Sequence, residues 1–177
     1  MVDNGHFENF ENFENQLFFK SPVDINFLNG LLSAFQFLNH KTDCQFNFSL
    51  KEYPKNGQTV EGCLIKVYQS SIKSSTIELD KAKEIVSDWL FSFFTEHKNY
   101  SRRVYLEDRT DNFSISYLNN RNSFINEFFY CLVQAVNPID IYNIDLSTRI
   151  LGNGGENSVV CFEAEDNLYV LALAWSD

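Results

Sequence analysis

Apolar residues along this chain switch between two spacings, and each switch marks a predicted element. Ile25, Leu28, Leu31, Leu32, Phe35 and Leu38 recur at helical spacing behind Ser21-Pro22, a capping serine followed by a proline suited to a first turn. A second helix is predicted with Asp80 as its cap and one stripe of Ala82, Ile85, Val86, Trp89, Leu90, Phe93 and Phe94. A third starts near Ser123 and turns Phe124, Ile125, Phe128, Phe129, Leu132, Val133 and Val136 inward. Pro138 bars its continuation.

Between the helices the period drops to two. Cys44, Phe46, Phe48 and Leu50 alternate with Gln45, Asn47, Ser49 and Lys51, the pattern of a half-buried strand. Residues 60–68 are expected to supply its partner strand, across a loop containing Pro54 and Gly57. Residues 104–107 and 113–118 read as a second hairpin, and 139–146 and 148–151 as shorter strands.

The clearest strand signal closes the chain. Residues 159–165 and 168–175 flank Asp166-Asn167, which suits a two-residue turn. That turn would set Glu165 opposite Leu168, Glu163 opposite Val170 and Cys161 opposite Ala172. One face then carries Val160, Phe162, Tyr169, Leu171 and Leu173, large residues suited to packing under helices. The other carries the smaller Val159, Cys161, Ala172 and Ala174, with Glu163 and Glu165. Hairpins in place of βαβ crossovers imply an α+β fold: an antiparallel sheet, about three amphipathic helices mainly on one side, and a C-terminal hairpin.

The first 20 residues break this rhythm. Phe7-Glu8-Asn9, Phe10-Glu11-Asn12 and Phe13-Glu14-Asn15 repeat every three residues, which fits neither a helix face nor a strand face. Residues 1–20 are therefore read as an aromatic arm ahead of a single domain over 21–177. The arm either lies on that domain or binds a partner.

Composition narrows the partners. The 177 residues are 44% hydrophobic, enough for one buried core. The 14 Lys+Arg against 24 Asp+Glu give a formal charge of −10. That balance argues against a nucleic acid or an anionic membrane as ligand, and for a basic protein as partner. Without a basic, apolar leader or a membrane-length apolar run, a cytoplasmic protein is expected. Cys44, Cys63, Cys131 and Cys161 form no Cys-x-x-Cys pair, so they read as reduced, buried small hydrophobes.

Candidate chemistry is sparse. His6, His40 and His97 stand apart, the last two at predicted helix ends where a cation interacts well with the helix dipole. Gly152-Asn153-Gly154-Gly155 lacks the Lys-Ser/Thr and the helix of a phosphate loop, and Glu156 follows it, so it reads as a turn. Lys98, Arg102 and Arg103 are too few for a nucleic-acid footprint. No nucleophile–base pair or metal-ligand set is visible, so no enzymatic activity, metal or cofactor is expected. The carboxylates Glu163 and Glu165 on the C-terminal hairpin, and Glu107, Asp108 and Asp111 at the tip of the middle one, are the candidate partner-binding residues.

This small, acidic, Asn- and Phe-rich domain, closed by the strand Leu168-Tyr169-Val170-Leu171-Ala172-Leu173-Ala174-Trp175, resembles the immunity proteins of bacterial contact-dependent growth inhibition systems. The resemblance is one of general type, and no individual residue carries over from it. It implies a cytosolic inhibitor that binds one cognate toxin, often a cationic nuclease, and blocks its active site. Two other classes fit the composition: an acidic phage-encoded inhibitor that mimics DNA, and a small ligand-binding or hydrolase domain.

Overall fold

The computed structural model describes residues 23–39, 45–95, 121–146 and 156–176. In chain order the elements are α1 (Ile25–Asn39), β1 (Gln45–Pro54), α2 (Val60–Tyr68), β2 (Ile72–Thr76), α3 (Leu79–Thr95), α4 (Arg121–Val136), β3 (Asp140–Leu146), β4 (Glu156–Glu163) and β5 (Asn167–Ser176). The five strands form one sheet in the order β1-β5-β4-β3-β2, and every neighbouring pair is antiparallel. The fold is α+β, with β4 and β5 as its C-terminal hairpin.

Three helices cover one face of the sheet. Leu28, Leu32 and Phe35 of α1, Ala82, Val86, Leu90 and Phe91 of α3, and Phe128, Phe129 and Leu132 of α4 are buried against the sheet's Phe46, Phe48, Leu50, Val160, Phe162, Leu171 and Leu173. The rings meet edge-on or tilted, as their quadrupoles favour: Phe35 and Phe124 lie 4.5 Å apart at 60°, and Phe129 and Phe162 6.3 Å apart at 61°. On the opposite face α2 buries Val60, Cys63 and Leu64 against Ile144, Val159, Cys161, Leu168 and Val170.

That second layer corrects the sequence reading, which took residues 60–68 for a strand. The segment is helical because its ends are stopped locally. The Thr59 hydroxyl accepts from the Gly62 amide at 3.2 Å, and Gln69 ends the helix in the left-handed region at φ 50°. Its apolar positions 60, 63, 64 and 67 already recur at helical spacing. Asn56 and Gly57, both at positive φ, turn the chain from β1 into α2. β1 instead pairs with β5 over its whole length, and β2 is a strand the pattern did not reveal.

Helix starts shift as well. Asp24, not Ser21, caps the described part of α1, its carboxylate accepting from the Phe27 amide at 2.8 Å. Asp80 lies inside the first turn of α3, next to Lys83 at 3.7 Å, while the Glu78 carbonyl accepts the first helical bond, from Ala82. α4 ends as expected before Pro138, with Asn137 in the left-handed region and its amide bonded to the Val133 carbonyl. The side chains of Leu38, Phe93 and Phe94 lie outside the described residues. So do the arm over 1–20, Ser21-Pro22, Cys44, the three histidines, the hairpin proposed over 104–118, the strand over 148–151 and the glycine turn over 152–155.

Candidate functional site

The C-terminal hairpin turns one step earlier than its sequence suggests. Glu163 stands opposite Leu168, Cys161 opposite Val170 and Val159 opposite Ala172, so Glu165-Asp166 forms the turn. Asn167 is drawn into β5. Its carbonyl accepts from the Ala164 amide at 2.9 Å, and its side-chain amide donates to Glu52 at 2.7 Å. The register slips by two residues, which preserves the side-chain period, so every residue that stays within β4 or β5 keeps its expected face, while Glu165 moves into the turn. Tyr169, Leu171 and Leu173 lie under the three helices, while Cys161 and Val159 face α2.

The slip decides what the two predicted carboxylates do. Glu163 is mostly enclosed, at 18% exposure, and both its oxygens are engaged. Lys55 Nζ approaches Oε1 at 2.6 Å, and the Tyr142 hydroxyl donates to Oε2 at 2.9 Å. The same ammonium donates to the Ala164 carbonyl at 3.2 Å, tying the β1–α2 loop to the hairpin turn. The Lys55 bond holds the Glu163 carboxyl below its usual range. Burial, then the bond to Glu163, pushes Tyr142 up to about 12, so it stays a hydroxyl donor at neutral pH. Glu165 sits exposed at the turn itself with Asp166.

Three more exposed carboxylate positions complete this end of the sheet or border it. Glu52 on β1 accepts from Asn167 and from the Tyr169 hydroxyl, the latter at 3.0 Å. Asp140 on β3 stands directly opposite Glu163 in the ladder, and Asp166 lies at the turn. An open cleft of about 590 Å³ runs between the 55–59 loop and the 163–167 turn, with Lys55 and Glu163 at its wall. Ala172 and Ala174 do not flank the carboxylates as expected, because they pair with Val159 and Asn157, towards the other end of the hairpin. Glu107, Asp108 and Asp111 lie outside the described residues.

Sequence reasoning missed Lys55, Tyr142, Glu52, Asp140 and Asp166 as members of this group. Asp166 lies in the hairpin turn itself, while the other four come from two other segments, β1 with the loop after it and β3, which the β1–β5 and β3–β4 registers bring to the hairpin. A second polar groove, of about 470 Å³, separates α3 from α4. There Arg121 donates to Ser87 at 2.6 Å and to Asp88 at 2.8 Å and lies over the Phe91 ring, so its charge is matched within the groove.

Cys63, Cys131 and Cys161 are free thiols and buried. Burial pushes Cys161 up to about 12 and raises Cys131, which leaves both as inert packing groups at neutral pH. Among the described residues no three His, Cys, Asp or Glu side chains gather as metal ligands would, and no helix is long and apolar enough to cross a membrane. No known protein family, curated protein or solved structure matches the chain.

Proposed function

We propose that the chain is a cytoplasmic immunity protein that neutralises one cationic bacterial toxin by covering its active site, without catalysing a reaction. The observation that carries this reading is the acidic end of the sheet. Glu52, Asp140, Glu165 and Asp166 are exposed there on paired strands and a tight turn. Carboxylates on a rigid scaffold lose little conformational freedom when they meet cationic side chains, and their summed field steers a basic partner before contact. The overall charge of −10 extends that field over the whole molecule.

Glu163 has a different place in this reading from Glu165. Its charge is already matched by Lys55. It braces the turn that presents Glu165 and Asp166, and those two residues with Glu52 and Asp140 make the contact.

The test is genetic and biochemical together. The toxin domain of a large secreted effector encoded immediately upstream should form a stoichiometric complex with this chain in gel filtration. Co-expression should then restore growth to cells producing that domain. Growth arrest that persists beside a well-expressed, folded chain would reject the proposal. So would turnover of a nucleotide, sugar or peptide by the purified chain that disappears with a single cleft substitution.

A further inference from the structure

The two edges of a sheet expose unpaired backbone groups that invite another chain to add a strand. Among the described residues β1 is one of these edges, and it is ten residues long. Its odd-numbered residues bond towards β5: the ladder continues past its end as the Lys55 amide bonds to the Asp166 carbonyl at 2.9 Å. Alternation in an antiparallel pair then points the amides and carbonyls of Phe46, Phe48, Leu50 and Glu52 away from the sheet.

At Phe48 and Leu50 side chains of α1 engage these outward groups. The Asn29 side-chain amide donates to the Leu50 carbonyl at 2.9 Å, and its oxygen accepts from the Leu50 amide at 2.8 Å. That is the donor–acceptor pair a residue of a neighbouring strand would offer, supplied by a side chain. The Gln36 side-chain oxygen accepts from the Phe48 amide at 3.2 Å. Asn29 and Gln36 are two helical turns apart, about 10 Å of rise, on the same side of α1. They reach strand residues about 7 Å apart along β1.

We infer that α1 guards this edge: Asn29 and Gln36 occupy the strand-pairing groups of β1 and so stop the sheet from extending through β1 into a second copy of the chain. The guard is polar and directional, whereas the other side of α1 is anchored by Leu28, Leu32 and Phe35 in the core. One helix therefore both closes the core and closes the edge.

Amide hydrogen exchange on the intact chain, resolved by residue, is the first test. The Glu52 amide also points outward and meets no acceptor among the described residues, so it serves as the unguarded reference. After correction for intrinsic rates, the Phe48 and Leu50 amides should exchange at least about tenfold more slowly than that of Glu52. Equal rates would overturn the inference.

The second test is sedimentation of an Asn29→Leu/Gln36→Leu variant at a salt concentration that screens the net charge. Relative to the intact chain, it should form dimers and larger species as concentration rises. Adding Glu52→Pro, which removes an outward amide and sets a ring on the edge, should reverse that association. A folded double variant with an unchanged mass distribution refutes the guard, as does association that survives Glu52→Pro. If the double variant loses its circular dichroism signature, the exchange rates of the intact chain decide alone.

Discussion

Among the described residues Lys55 and Glu163 form the one ion pair at the acidic sheet end that is largely withdrawn from water, each side chain at 18% exposure. Replacing Lys55 by Met leaves a carboxylate with only the Tyr142 hydroxyl for company. Because the cleft still admits solvent, the cost should be about 1–2 kcal/mol, less than the 3–5 of a fully buried pair. Urea unfolding of Lys55→Met at pH 7 measures it. The pH dependence follows from the lowered carboxyl pKa of Glu163 in the folded chain. Its contribution is fully present above the unfolded carboxylate pKa of about 4.3 and is lost as pH falls through the lower folded value. The stability gap between the wild type and Glu163→Gln should thus be constant from pH 8 to pH 6 and close below about pH 4. A gap that widens in acid would show that the carboxyl is destabilised in the fold.

At the scale of elements, α3 shows how a neighbouring helix rotates a buried face. Its stripe in sequence centres on Trp89, which is only partly buried and meets Phe48 edge-on at 6.5 Å and 89°. Phe91, off that stripe, is fully buried between Phe35, Phe124 and the Arg121 guanidinium. α4 supplies two of these partners, so the buried face of α3 turns towards α4 and takes Ser87 with it. Phe91→Ala should cost about 3–5 kcal/mol in denaturant unfolding and more than Trp89→Ala, because only Phe91 leaves a closed cavity. α2 is smaller, yet it alone covers its side of the sheet among the described residues, through Val60, Cys63 and Leu64. Leu64→Ala, at a fully enclosed site, should cost about 2–5 kcal/mol by the same measurement. A loss below 1 kcal/mol would mean that α2 is not docked on the sheet.

For the whole molecule, net charge and surface geometry act together. Glu165 and Asp166 are exposed, and neither side chain anchors the turn. Glu165→Lys/Asp166→Lys should therefore leave the thermal midpoint nearly unchanged. Against a cationic partner it should slow association about tenfold at low salt and flatten the salt dependence of that rate. Stopped-flow mixing at several ionic strengths reads both effects. Unchanged rates in the folded double variant would move the contact surface away from this end of the sheet. Glu163→Gln is the companion variant: its charge is already paired, so it should alter stability more than association rate.

Much of the architecture was readable from local patterns, because local patterns report which face of an element meets the core. The periods around Leu28, Val86 and Phe128 marked three helices, and the alternation at Phe46, Phe48 and Leu50 and at Val160 and Phe162 marked inward strand faces. The faces of the C-terminal hairpin survived a register error because a two-residue slip leaves a period of two intact. The helix at 60–68 was legible in the spacing of its apolar residues, but a short apolar segment after a Pro- and Gly-containing loop reads as a strand as well. Only the tertiary structure decided which strands are neighbours, because β1 and β5 lie at opposite ends of the chain and no local signal joins them. That pairing set Lys55 against Glu163, gathered Glu52 and Asp166 at one end of the sheet, and left β1 as an edge for Asn29 and Gln36 to cover.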